Sequence, residues 1–142
     1  MRVLIVEDNA FNAFCLSRLL QTISKQLKIK VVSESSSALN YLSQYEVSLI
    51  ILDGNLQGSD YLSRSGPALA NIIWSNNPQI PIIAWSDSED MRVAFAEIFK
   101  QHNKVFNEGS CWPKAIDCDF ILKSLPFLLP HMKLNYLMKK IG

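Results

Sequence analysis

With 142 residues the chain has the size of one domain and can bury a core of its own. It is 49% hydrophobic and 19% charged with a net charge of +1, which gives no basic footprint for nucleic acid or for a membrane surface. No apolar run reaches the length of a membrane span, and MRVLIVED lacks the apolar stretch and small-residue cleavage site of a signal peptide, so a cytoplasmic location is expected.

The chain opens on VLIV, Val3 to Val6, a continuous apolar run stopped by Glu7, Asp8 and Asn9. That pattern predicts a strand buried on both faces. From Ala10 to about Leu27 the residues Phe11, Phe14, Cys15, Leu19, Leu20 and Ile23 recur at helical spacing, with Asn9 as N-cap. Ile29 to Val32 is a second strand, and Ser35 to Gln44 a short amphipathic helix carrying Ala38, Leu39 and Leu42. Val47 to Leu52 is a third buried strand ending at Asp53.

A run of turn-formers follows from Gly54 to Pro67, longer than such connections usually are. Pro67 suits the first turn of a helix from Ala68 to about Ser75. Ile82 to Trp85 is a fourth strand ending at Ser86, and Glu89 to His102 a helix bearing Met91, Val93, Ala94, Phe95, Ile98 and Phe99. A fifth short strand is placed at Ser110 to Trp112, leading to Lys114, with Lys104 as a rival for that lysine's role. Phe120, Ile121, Leu122 and Leu125 give a last core helix that ends near Pro126, and Met132 to Ile141 suggests an extra helix. Residues 1–128 are therefore expected to form the domain, with 129–142 as a tail too short for a DNA-binding output unit. Cys15, Cys111 and Cys118 lack metal-ligand spacing and read as free, small core residues in a reducing compartment. Trp74, Trp85 and Trp112 read as core fillers, and His102 and His131 have no partner spacing.

Strands alternating with helices predict an α/β fold: a doubly wound, five-stranded parallel sheet in the order 2-1-3-4-5 with helices on both faces. Ligands in such sheets bind beyond the carboxyl ends of the strands, where the strand order reverses. The residues at those ends are Glu7 and Asp8, Asp53, Ser86 and Lys114. Three crowded carboxylates call for a cation, and oxygen-only ligands suit magnesium, with manganese as a substitute. The backbone carbonyl of Asn55 can join Glu7, Asp8 and Asp53 as a ligand. An aspartate can attack phosphorus to form an acyl phosphate, and Ser86 and Lys114 can bind the phosphoryl oxygens.

Four pieces in order resemble the receiver domains of two-component response regulators: VLIVEDN at Val3 to Asn9, LIILDGNLQG at Leu49 to Gly58, IPIIAWS at Ile80 to Ser86 and GSCWPK at Gly109 to Lys114. The resemblance implies a flavodoxin-like, chemotaxis-receiver-like fold and magnesium held by Glu7, Asp8, Asp53 and the Asn55 carbonyl. It implies phosphoryl transfer to Asp53 from a histidine kinase or phosphotransfer protein. Ser86 then matches the switch hydroxyl and Lys114 the phosphate-binding lysine. The implied role is a stand-alone signalling module rather than an enzyme, its chemistry confined to phosphorylation and autodephosphorylation at Asp53. Phosphorylation draws Ser86 inward and shifts the surface of the fourth helix, fifth strand and fifth helix, toward a downstream protein target or a homodimer. The sequence departs from the pattern at Gln57, Asp87, Cys111 and Ala115, and its 58–66 loop is long. Asp87 stands where it can repel the phosphoryl group, and Cys111 where an aromatic switch residue is common. These departures define an alternative: a pseudo-receiver that keeps the fold as an interaction module without a phosphorylation cycle. A phosphohydrolase with an aspartyl nucleophile is disfavoured because Asn55 stands where its general acid–base would be.

Overall fold

The structure is a computed structural model, and it describes residues 1–56 and 65–125. Five strands, β1 (Arg2–Val6), β2 (Lys28–Val32), β3 (Leu49–Asp53), β4 (Ile82–Trp85) and β5 (Cys111–Trp112), form one sheet in the order β2-β1-β3-β4-β5. All four pairings are parallel. Five helices alternate with them: α1 (Ala10–Ile23), α2 (Ser35–Gln44), α3 (Gly66–Asn76), α4 (Glu89–Gln101) and α5 (Cys118–Ser124). The expected fold is the one found.

The central strands are apolar throughout because each face meets a layer of helices. Successive side chains point to opposite faces. Leu4, Val6, Ile50, Leu52, Ile82 and Ala84 therefore join the core under α2, α3 and α4, with Ala38, Leu69, Ile73, Trp74, Phe95 and Phe99. Val3, Ile5, Leu49, Ile51, Ile83 and Trp85 join the opposite core, with Leu16, Leu20 and Ile23 of α1 and Ile121 of α5. Trp74, Trp85 and Trp112 are all buried. Each indole N–H finds a backbone carbonyl, on Ile80 at 2.8 Å, Pro113 at 3.1 Å and Gly109 at 3.2 Å respectively.

Several boundaries shift. The helix expected to run to Leu27 ends at Ile23, where Ser24 turns extended with φ −153 and ψ 127. Leu27 is still buried, but from the turn that leads into β2, and apolar spacing cannot distinguish those two routes into a core. α3 begins at Gly66 rather than Ala68, with Pro67 in its first turn as expected, and the Ser65 hydroxyl accepts from the Ala68 amide as its N-cap. β5 is shorter than expected by its first residue.

The apolar face of α1 also needs correction. Ala13, Leu16, Leu20 and Ile23 are buried, whereas Phe11 and Phe14 are 74% and 62% exposed. At about 100° per residue, Phe11 lies about 200° round the axis from Ala13 and Phe14 about 100°. The small Ala13 lets the first turn approach the sheet, and the two rings are left outside. Cys15, Cys111 and Cys118 are half-buried rather than fully in the core. Among the described residues no helix is long and apolar enough to cross a membrane. Gln57, most of the 58–66 loop, Pro126, His131 and the 129–142 tail lie outside the described residues.

Candidate functional site

The parallel register sets the site. Val6 pairs with Leu52, Asp53 with Trp85 and Trp85 with Trp112. Glu7, one residue past β1, therefore lies beside Asp53 at the end of β3, with Ser86 one residue past β4 and Lys114 two past β5. The strand order reverses between β1 and β3, so this is also where two loops diverge to opposite faces and leave a crevice.

Glu7, Asp8 and Asp53 each present a carboxylate oxygen, and these oxygens all lie within 4.8 Å of one another. Glu7 and Asp53 are buried, and Asp8 is the most exposed of the three. The Lys114 ammonium donates to Glu7 Oε1 at 2.6 Å and to Asp53 Oδ1 at 2.9 Å. Asn12, one turn into α1, donates its side-chain amide to Glu7 Oε1 at 3.1 Å, while Asn9 caps the same helix through the Asn12 amide. The ammonium also lies 4.0 Å from the centroid of the Trp85 ring, within cation–π range.

One cation cannot neutralise this set. Burial, then the hydrogen bond to Glu7, pushes the Asp53 carboxyl up to about 6 against the pull of Lys114. Burial also acts on Glu7, but hydrogen bonds from Asp53 and Lys114 outweigh it and hold Glu7 below its ordinary value. Asp8 is raised, by desolvation and by the neighbouring Glu7. Asp53 and Glu7 thus titrate as a pair, in which the Asp53 carboxyl releases its proton at higher pH than Glu7 does. A hard divalent cation is the partner that such an all-oxygen set fits, because it can replace both the proton and the repulsion.

The remaining expected residues fall as follows. Ser86 is buried; its Oγ accepts from the Ser88 amide at 3.1 Å and its carbonyl from Arg92 Nε at 2.9 Å. Asn55 forms an isolated antiparallel bridge with Ser65, which together with the Gly66 amide on the Gly54 carbonyl (2.8 Å) closes the base of the long loop. Asp87, expected to face the phosphoryl position, instead accepts the Lys114 backbone amide at 2.9 Å. Cys111 is half-buried on β5, and burial raises its thiol. Lys104 is far from this crevice in its bonding: it donates to the Pro78 carbonyl and lies over the Trp74 ring. His102 bonds Asn71 at 2.8 Å, and no part of it enters the carboxylate set.

Asn12, Gly66 and Arg92 escaped sequence reasoning. Asn12 had a signal, since it stands three residues after the N-cap and so shares its side of the helix. Gly66 had a weaker one, as a glycine beside Pro67: an added Cβ would lie 2.0 Å from the Asp53 carbonyl oxygen. Arg92 had none.

The family model described as response regulator receiver domain matches residues 3–105. The signal receiver domain of an HD domain-containing protein from Pseudomonas fluorescens Pf-5 superposes with a TM-score of 0.73 at 21% identity, over 92% of this chain and 87% of that one. The receiver domain of NtrX from Brucella abortus gives 0.70 at 19% identity, over 90% of this chain and 98% of that one. A longer NtrX structure from the same organism matches 99% of this chain with a TM-score of 0.70 at 18% identity, but only 29% of its own length is covered. No curated protein sequence matches. At these identities the structural likeness speaks for the fold, and the family rests on the match along the sequence. That match spans most of the chain, and the protein belongs to the response regulator receiver domain family.

Proposed function

We propose that this receiver takes a phosphoryl group on Asp53 from a histidine kinase or phosphotransfer protein, with magnesium or manganese held by Glu7, Asp8, Asp53 and the Asn55 carbonyl, and signals through protein–protein contacts. The observation that carries the reading is the cluster of three carboxylate oxygens within 4.8 Å, with Asp53 buried and paired to Lys114. Such a cluster is held against its own repulsion, which is a cost a purely structural site has no reason to keep.

An Asp53 carboxylate oxygen attacks phosphorus, and the bond from phosphorus to the donor breaks with its electron pair left on the donor, a histidine nitrogen or an acyl oxygen. The bound cation supplies neutralisation of the charge on the transferring phosphoryl oxygens. Lys114 shifts from the carboxylate to those oxygens, and Ser86 donates its hydroxyl to them. In hydrolysis a water oxygen attacks phosphorus, the Asp53 carboxylate leaves with the electron pair, and the proton lost by the water passes to solvent.

Incubation with labelled acetyl phosphate and magnesium tests this. Wild type is expected to take up acid-stable, base-labile label, and Asp53→Ala to take up none. A wild type that stays unlabelled in millimolar magnesium overturns the reading in favour of a pseudo-receiver, and equal label on Asp53→Ala overturns the assignment of Asp53.

A further inference from the structure

The two loops that flank the site are tied together at one peptide unit. The carbonyl of Pro113 accepts the Trp85 indole N–H at 3.1 Å, and the amide of Lys114 donates to Asp87 Oδ1 at 2.9 Å. That carbonyl and that amide belong to the same planar peptide group. Two side chains, one on each side of Ser86, thus grip both polar ends of the peptide that carries Lys114. The Ser86 amide extends the ladder by donating to the Trp112 carbonyl at 3.0 Å. Farther out, the Trp85 ring also meets the Lys114 ammonium, 4.0 Å from its centroid. Lys114 is therefore held at its backbone by Trp85 and Asp87 and at its tip by Glu7, Asp53 and the indole.

We propose that Asp87 is a positioning residue for phosphoryl transfer to Asp53, acting through the Lys114 backbone with Trp85 as its counterpart. The inference rests on the phosphoacceptor reading of Asp53. Lysine is a flexible stem whose ordering costs rotamer entropy, and a fixed Cα and peptide plane remove much of the freedom it has to lose. With its backbone already fixed, only the stem has to move when the ammonium passes from the carboxylates to the phosphoryl oxygens, so less reorganisation is left for the transition state. Asp87 is exposed, so its charge is screened by solvent, while its Oδ1 is committed to the amide. Its contribution is the acceptor oxygen rather than the charge.

The test compares wild type, Asp87→Ala, Asp87→Asn and Trp85→Phe. It follows their rates of phosphorylation by acetyl phosphate in saturating magnesium, with the thermal midpoint of each. Asp87→Ala is expected to slow uptake by about fivefold or more, with a folded population equal to that of wild type. Asp87→Asn keeps the acceptor oxygen and is expected to rescue most of that loss. Trp85→Phe keeps a ring but loses the indole N–H, and is expected to slow uptake in the same direction. Faster uptake by both Asp87 variants overturns the proposal and makes the carboxylate a repulsive gate. Equal slowing of both overturns it in favour of the charge itself. An unchanged Asp87→Ala, or slowing that only tracks the unfolded fraction, overturns it as well. If wild type takes up no label the failure is that of the Asp53 reading, and the positioning role falls with it.

Discussion

At the scale of single residues the energetics turn on Asp53. Its carboxyl has a folded pKa of about 6 against an ordinary 3.8. For a carboxyl raised on folding, the stabilising contribution is complete below the unfolded value and is lost as pH climbs through the folded one. Metal-free wild type should therefore lose stability between about pH 4 and pH 7 through this group. Asp53→Asn carries no such titration, so thermal melts without metal should show it gaining on wild type across that window and holding the gain above it; a difference that is flat with pH refutes the assignment. Lys114 is the opposite case. Lys114→Ala leaves Glu7 and Asp53 without their cation and should cost about 1–3 kcal/mol in metal-free denaturant unfolding at pH 8. Added magnesium should raise the midpoint of Lys114→Ala more than that of wild type, since the ion replaces the missing charge. Glu7, Asp8, Asp53 and Ser86 were legible as candidates because each follows an apolar run that reads as a strand, whereas Lys114 follows no such run and had Lys104 as a rival. Trp85 read only as a core filler, since nothing in the sequence tells that its ring meets the Lys114 ammonium, 107 and 61 residues from that lysine's two carboxylates.

At the scale of elements, α1 shows how far periodicity reaches. Its apolar residues make two overlapping stripes, and the sheet takes the one that starts at Ala13. Leu20→Ala should cost about 2–5 kcal/mol, whereas Phe14→Ala should stay within about 0.5 kcal/mol, as measured by urea unfolding. Near-equal losses from the two variants would return Phe14 to the core. The start of α3 is constrained in another way. An added Cβ on Gly66 meets the Asp53 carbonyl oxygen at 2.0 Å and the Phe95 ring at 2.7 Å, while one on Gly54 meets the flexible Met91 side chain at 2.8 Å. Backbone cannot give way as a methionine can. Gly66→Ala should cost about 1–3 kcal/mol and weaken magnesium binding by displacing Asp53, and Gly54→Ala should do less on both counts. Fluorescence titration with magnesium and thermal melts would separate the two. The strands β1, β3 and β4 were legible because burial on both faces leaves continuous apolar runs. The two edge strands were harder: β2 is mostly exposed and β5 has two residues, so neither carries such a run.

At the scale of the whole molecule, stability and site are one system. The carboxylates sit at the end of β3 and in the loop that follows β1, far apart in the chain, so a cation bound there binds only the folded chain. Magnesium at about 100 times its dissociation constant should add about 2.7 kcal/mol to the unfolding free energy. Asp53→Asn should blunt that gain, and a wild-type midpoint indifferent to magnesium would mean that the set does not hold the ion. The sequence by itself determined the α/β class, the strand order, and the strand-end residues Glu7, Asp8, Asp53 and Ser86, whose types suit phosphoryl chemistry. It could do so because strand ends in a parallel sheet face one edge, whatever lies between them. Only the tertiary structure decided which lysine enters the site, which face of α1 is buried, and where the Asp87 carboxylate turns. Those are choices between alternatives of similar local propensity, and they are made by contacts between residues far apart in the chain: Lys114 rather than Lys104 reaches Glu7 and Asp53 because β5 pairs with β4 at Ala84 and Trp85.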